Sequence, residues 1–143
     1  MSKKVVLVSH GKLSEGMASA VEMVFGKNED LSYLGLTPDG NVVELIGGLR
    51  EQVAANPGDQ YIVVADIFGG SVCNQSLQQL SEFDNVRLVS GMNMGLVVSI
   101  LAMPGELSDE MLAQMVAESR DGVKVVELIR ADAPVDDGAD DFF

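Results

Sequence analysis

The feature that most constrains the fold is a fourfold alternation of short apolar runs with segments of helical periodicity. Apolar runs at 3–9, 31–36, 61–65 and 86–89 predict strands, and each is followed by a segment whose apolar residues recur every three or four positions. Such alternation implies right-handed crossovers and a parallel sheet with helices on both faces. We therefore predict an α/β fold, a single domain whose four-stranded parallel sheet has the order 2-1-3-4.

Polar residues at the start of the helical segments predict where the helices begin. Asn41, Ser71, Asn93 and Ser108 each precede or open such a segment, and side chains of these types cap helices. On this basis Ser71 is predicted to cap the third helix. A fifth helix begins at Ser108, and the apolar segment 123–129 after it has an ambiguous period. We interpret that segment as a final strand.

Composition and charge narrow the possible functions. The net charge is −13 with only nine Lys and Arg residues, which argues strongly against nucleic acid and anionic membranes as partners. No long apolar segment and no secretory signal are visible, so we expect a cytoplasmic protein. A single cysteine, Cys73, excludes an internal disulfide and a cysteine-built metal site, and no cofactor is expected. We predict one domain at 1–130 and an acidic disordered tail at 131–143.

Two residues that could carry chemistry follow neighbouring strands of the predicted sheet. His10, the sole histidine, comes after the first strand, and Asp66 comes after the third. In a sheet of order 2-1-3-4 the order reverses between these strands, and ligands bind outside their carboxyl ends. A carboxylate that accepts a proton from one imidazole nitrogen leaves the other nitrogen nucleophilic. We therefore predict that this pair accepts a phosphoryl group.

A glycine pair follows Asp66 directly and leads into the third helix. Gly69 and Gly70 allow close approach of the backbone, and free N–H groups with the Ser71 hydroxyl could bind phosphoryl oxygens. Taken singly, each residue has a simpler explanation: a solvated histidine, a turn aspartate, a tight turn and a helix cap. Their convergence on one crevice favours a functional site.

Four motifs, in order along the chain, resemble the mannose-family enzyme IIA component of the bacterial phosphoenolpyruvate-dependent sugar phosphotransferase system (PTS). They are VLVSHG at 6–11, LSEGM at 13–17, ADIFGGSVCN at 65–74 and SGMNM at 90–94. The resemblance covers roughly residues 3–130. It implies a four-stranded parallel sheet with an added antiparallel strand that is exchanged in a homodimer. Segment 123–129 is then expected to be the exchanged strand.

The resemblance also implies a function for the crevice. His10 is expected to receive a phosphoryl group from the phosphohistidine of HPr and pass it to an enzyme IIB component, which phosphorylates a sugar entering through membrane permease components. Asp66 is expected to orient and stabilise His10. The chain departs from the family at Val72 and Cys73, where Pro and Phe are common. Since no Ala/Pro-rich linker to a IIB domain follows, a free-standing component is expected; the sugar is not encoded.

Other functions are open at this point. The phosphocarrier subunit of dihydroxyacetone kinase shares the strand-one histidine, but it usually has an Asp-Leu-Gly-Ser sequence after strand three. A non-catalytic regulatory module that binds a small anion is a second alternative, and metal-dependent hydrolysis is a more distant one. For a carrier that meets two protein partners, an apolar rim is expected around His10. Phe68, Met17 and Met92 are the candidates, although core packing suits Met17 better.

Overall fold

The structure, a computed structural model, describes residues 2–131. Its strands are β1 (Lys3–His10), β2 (Leu31–Leu36), β3 (Gln60–Ala65) and β4 (Val86–Val89). They form a parallel four-stranded sheet in the order β2-β1-β3-β4, so the predicted topology is confirmed. The helices of the described residues are α1 (Leu13–Phe25), α2 (Val42–Ala55), α3 (Ser71–Leu80), α4 (Met94–Ala102) and α5 (Asp109–Asp121).

The helices cover both faces of the sheet. On one face, α1, α4 and α5 pack over alternate residues of the central strands, such as Val5 and Ile62. On the other face, α2 and α3 pack over the intervening residues, such as Val6 and Val63. Every residue of β3 is buried, because a central parallel strand has helices on both sides. This arrangement leaves the carboxyl ends of β1 and β3 side by side at one edge.

Most predicted helix starts are confirmed by hydrogen bonds. The Asn41 side chain accepts from two N–H groups of the first turn of α2, and Asn93 and Ser108 each accept one at the starts of α4 and α5. The prediction for Ser71 is wrong. A turn over 67–70 places Gly70 at the N-cap, so Ser71 is the first residue of α3 and its hydroxyl points elsewhere.

Two further expectations differ from the structure. His10, expected just after the first strand, is the last residue of β1 and pairs in register with Leu36. Leu77, whose spacing from Val72, Cys73 and Leu80 predicts a place on the buried side of α3, is exposed beside the free edge of β4. The helical spacing indicated an apolar face for α3, but the sheet ends before it covers Leu77.

Within residues 2–131, segment 123–129 pairs with no strand. A strand needs a neighbour for its N–H and C=O groups, and this segment has none among the described strands. Its apolar side chains are exposed: Val123, Val125, Val126, Leu128 and Ile129. The predicted acidic tail lies outside the described residues from position 132 onward. Within residues 2–131, every helix is too short or too polar to cross a membrane.

Candidate functional site

The sheet brings His10 and Asp66 into direct contact. Val8 on β1 lies opposite Ala65 on β3, and the Asp66 N–H donates to the Val8 carbonyl oxygen at 3.1 Å. The residues that end these strands therefore meet. His10 Nδ1 lies 2.7 Å from Asp66 Oδ2, and the His10 backbone N–H donates to the same oxygen at 2.8 Å.

The Asp66 carboxylate is held on both of its oxygens. Oδ2 accepts from His10, and Oδ1 accepts the Ile67 N–H at 2.9 Å. The Asp66 side chain is 5% exposed, whereas the His10 side chain is 50% exposed. The pair thus has a buried anchor and an open reactive end.

Hydrogen bonding keeps Asp66 ionised. Burial alone would raise the pKa of Asp66, but the bonds from the His10 N–H, the His10 ring and the Ile67 N–H together lower the pKa below its usual value. An ionised carboxylate only accepts hydrogen bonds, so Nδ1 carries the ring proton. The lone pair of the neutral imidazole is therefore on Nε2.

Ser71 faces that second nitrogen. Its hydroxyl oxygen lies 3.4 Å from His10 Nε2, where it donates a long hydrogen bond to the lone pair. Because Ser71 opens α3, a group attached to Nε2 would lie at the N-terminal end of that helix. Of the predicted site residues, Asp66 and Ser71 therefore each contact His10, one at each ring nitrogen.

The two glycines shape the chain between Asp66 and Ser71. Gly69 has φ +82°, which glycine adopts readily at the third position of a turn. The Gly70 N–H closes this turn on the Ile67 carbonyl oxygen at 3.3 Å. Gly70 is the N-cap of α3 and has no side chain that could cap the first-turn N–H groups. These groups and the helix dipole favour an anion at this point.

Two buried serines, which were not among the predicted site residues, hold the connection between His10 and the start of α1. Ser9 Oγ accepts the Ser14 N–H at 2.8 Å, and Ser14 Oγ donates to the Leu34 carbonyl oxygen at 3.0 Å. Both serines are fully buried. The sequence feature that could have indicated this role is a small hydroxyl residue directly after an apolar residue on each side of His10 and Gly11. These bonds hold the start of α1 close to the end of β2.

The outer surface of the site is apolar in part. Phe68 is 84% exposed at the tip of the turn; Ile67, next to it in the chain, and Leu13, the first residue of α1, are exposed as well. Met17 and Met92, the other rim candidates, are partly buried and pack against the α1 and α4 side of the core. Within residues 2–131, no group of three or more His, Cys, Asp and Glu side chains could hold a metal ion.

The chain resembles several PTS proteins in sequence. It is 25% identical over 130 residues to the PTS system mannose-specific EIIAB component of Escherichia coli strain K12, which is 89% of this chain. The chain spans only 40% of the length of that relative. The PTS system sorbose-specific EIIA component of Klebsiella pneumoniae is 24% identical over 109 residues, 76% of this chain and 80% of the relative.

Solved structures of PTS IIA proteins share the fold of this chain. The mannose/sorbose specific IIA subunit from Enterococcus faecalis superposes with a TM-score of 0.81 at 23% identity, covering 91% of this chain and 98% of that one. The PTS IIA protein associated with the fucose utilization operon of Streptococcus pneumoniae gives a TM-score of 0.77 at 26% identity, with coverage of 87% and 93%.

The chain also matches the model of a protein family. The model called EIIA-man, described as "PTS system fructose IIA component", matches residues 4–118, which is well over half of the chain. This match includes β1 with His10 and the whole of the Asp66 to Ser71 segment. The chain therefore belongs to the EIIA-man family of PTS IIA components.

Proposed function

We propose that this chain is a phosphohistidine carrier that takes a phosphoryl group from phospho-HPr onto His10 and passes it to an enzyme IIB component. One observation carries the proposal. The buried, ionised Asp66 carboxylate binds Nδ1 at 2.7 Å and so leaves the lone pair of a half-exposed imidazole on Nε2. A nucleophile held in one tautomer, open to a protein partner, is what such a relay needs.

The transfer proceeds by attack of Nε2 on phosphorus. The Nε2 lone pair forms the new N–P bond, the N–P bond of the donor phosphohistidine breaks, and the donor imidazole leaves with the electron pair. Both nitrogens of the His10 ring are then substituted, so the ring is positively charged. The Asp66 carboxylate lies next to Nδ1 and stabilises that charge. In transfer to enzyme IIB, the N–P bond at Nε2 breaks, its electron pair returns to the His10 ring, and a nucleophile of the acceptor forms the new bond to phosphorus.

The segment of Gly69, Gly70 and Ser71 is the proposed phosphate-binding element. The Ser71 hydroxyl, 3.4 Å from Nε2, can turn from the lone pair to a phosphoryl oxygen once Nε2 is substituted. The first-turn N–H groups of α3 have no side-chain cap and offer further donors. Each hydrogen bond to a charged oxygen contributes about 1.5–3 kcal/mol.

The exposed apolar residues around His10 are the proposed docking surface for both protein partners. Leu13, Ile67 and Phe68 are all exposed, and Phe68 stands at the tip of a turn whose backbone is hydrogen-bonded at Gly70. Rigid aromatic residues of this kind act as anchors in protein interfaces. Binding through a small apolar surface suits partners that must leave after each transfer.

Incubation with phosphoenolpyruvate, enzyme I and HPr tests the carrier function. Because the chain has one histidine, a single acid-labile phosphoryl group in the intact-protein mass must be on His10. We expect one such group on the wild type and none on His10→Ala, and we expect enzyme IIB to remove it. Uptake by His10→Ala, or no uptake by the folded wild type, would contradict the proposal.

We further propose a homodimer in which segment 123–129 adds an antiparallel strand to the β4 edge of a second copy. Its apolar side chains fall on both alternating faces, which is typical of a strand covered on both sides. Beside the free edge of β4 lies an apolar groove of about 180 Å³ whose lining includes Leu77, Leu80 and Phe83. Covering a Val, Leu or Ile side chain contributes about 1.5–3 kcal/mol.

A further inference from the structure

Three residues of the segment from Asp66 to Ser71 lie against successive atoms along one edge of the His10 imidazole. Asp66 Oδ2 contacts Nδ1 at 2.7 Å, and Ser71 Oγ lies 3.4 Å from Nε2. Cε1 is the ring atom between these two nitrogens, and it faces Gly70. A Cβ atom at Gly70 would lie only 3.2 Å from Cε1. The ring therefore packs against the backbone at Gly70, where a side chain would not fit without a shift.

The backbone at position 70 gives no other reason for glycine. Gly70 has φ −74° and ψ 164°, an extended conformation that any residue adopts. Gly69 differs, because its φ of +82° favours glycine whatever its neighbours are. The Gly70 N–H also donates within the turn, to the Ile67 carbonyl oxygen. What Gly70 contributes is space against the His10 ring and against Ile67 Cγ2, which an added Cβ would meet at 2.9 Å.

From these contacts we propose that Gly70 is a positioning residue, which sets the plane of the His10 imidazole so that Nε2 faces Ser71 and the start of α3. This inference rests on the proposed carrier function and assigns Gly70 a part in it that is independent of donating a hydrogen bond to phosphate. A methyl group at position 70 pushes Cε1 away by a few tenths of an ångström. The ring then tilts about its contact with Asp66, and Nε2 turns from Ser71.

The N-cap position of Gly70 adds a second consequence. Ser, Thr, Asp and Asn are the usual N-cap residues, because their side chains accept the first-turn N–H groups. Such a side chain at position 70 would crowd His10 and would also occupy the donors that the phosphoryl group needs. Gly70 avoids both effects. Comparing Gly70→Ala with Gly70→Ser separates them, because alanine crowds the ring without capping the helix.

Two measurements on Gly70→Ala test the proposal. The ¹⁵N shifts and NOEs of the His10 ring, recorded without any phosphoryl donor, report its tautomer and orientation. The rate of phosphorylation by phospho-HPr reports the consequence. We expect altered ring signals and a rate about 10-fold lower, since a displacement of 1 Å can cost 10²-fold. Gly70→Ser is expected to be at least as slow as Gly70→Ala.

Gly48→Ala is the matched control. Gly48 is exposed on α2, and a Cβ there meets no atom within 4 Å. This variant should keep the wild-type ring signals and rate. Wild-type ring signals in Gly70→Ala, or a slow Gly70→Ser beside a fully active Gly70→Ala, would overturn the positioning role. Failure of the wild type to accept phosphate would instead contradict the carrier function, and the ring signals would still test Gly70.

A second pair of variants separates crowding of the His10 ring from crowding within the turn itself. The same added Cβ would lie 2.9 Å from Ile67 Cγ2, so Gly70→Ala also crowds Ile67. Ile67→Ala removes that atom. In the pair Ile67→Ala and Ile67→Ala/Gly70→Ala, the only remaining close side-chain contact is with His10. The double variant should show the altered ring signals and the slower rate relative to Ile67→Ala; equality of the two variants would refute the proposal.

Discussion

One atom, Asp66 Oδ2, holds His10 in two ways. It accepts the backbone N–H at 2.8 Å and the ring Nδ1–H at 2.7 Å, so a single oxygen fixes both the strand end and the ring. The other oxygen is engaged by the Ile67 N–H. Asparagine keeps the shape of Asp66 but replaces one accepting oxygen by an NH2 group, so either the His10 ring and backbone N–H or the Ile67 N–H loses its acceptor, and the negative charge beside the ring is lost in both cases.

Asp66→Asn is expected to slow phosphorylation of His10 by about 10²- to 10⁴-fold. An amide nitrogen beside Nδ1 favours the tautomer in which Nε2 holds the proton, and a neutral amide cannot stabilise the charged ring. The rate of uptake from phospho-HPr measures this. Asp59→Asn is the control, because Asp59 also accepts hydrogen bonds but bonds to Ser2 near the amino-terminal end of β1. A wild-type rate in Asp66→Asn would contradict the assigned role.

The lowered pKa of Asp66 predicts a pH dependence of stability. A carboxyl whose pKa is lower in the folded than in the unfolded protein stabilises the fold above the unfolded value, about 3.9, and loses this effect as the pH falls through the folded value. The free energy of unfolding of the wild type minus that of Asp66→Asn should thus be largest near neutral pH and shrink below about pH 4. Urea unfolding at several pH values measures it. A difference that grows in acid would show that the sign is wrong.

Residue types around the site were more predictable than their contacts. His10 and Asp66 could be paired from the sequence because the strand order alone places the ends of β1 and β3 together. The position of Ser71 in α3 could not be predicted, since an N-cap serine and a first-turn serine have the same sequence pattern. The contact of Gly70 with Cε1 depends on the rotamer of His10, which no local pattern specifies.

At the scale of elements, the hydrophobic pattern determined strands and helices well. The four strands and five helices of the described residues match the predicted segments. Continuous apolar runs indicated the buried strands, and apolar residues at helical spacing indicated the helices that cover them. The pattern failed where burial depends on the neighbouring element. Leu77 has helical spacing with Leu80, yet it is exposed because the sheet ends at β4.

The cap of α2 provides a test of element stability away from the site. Asn41 Oδ1 accepts the N–H groups of Val43 at 2.9 Å and Glu44 at 3.1 Å. Asn41→Ala leaves both donors without this partner and should lower the free energy of unfolding by about 1 kcal/mol. Urea denaturation measures the loss, and the phosphorylation rate of His10 should not change. A loss below the error of the measurement would mean that solvent replaces the cap fully.

At the scale of the whole molecule, the exposed segment 123–129 is the main departure from a self-contained fold. The buried apolar residues of the described chain divide between the two faces of the sheet. Covering the five exposed apolar side chains of segment 123–129 would remove apolar surface from water, which is favourable. The ambiguous period of this segment agrees with the proposed exchange, because a strand that is buried on both faces lacks the alternation of apolar and polar residues.

Glutamate substitutions in this segment distinguish a dimer by strand exchange from a monomer. Val125 is 97% exposed in one chain, so Val125→Glu should leave the stability of a monomer within about 0.5 kcal/mol of the wild type. In the exchanged dimer the same carboxylate is buried against the second copy, and dissociation is expected. Sedimentation velocity measures the state of each protein. Met23→Glu is the matched control, since Met23 is an apolar residue that is 87% exposed on α1. We expect the wild type and Met23→Glu to be dimers and Val125→Glu to be a monomer; a monomeric wild type, or a dimer that survives Val125→Glu, would exclude exchange of this segment.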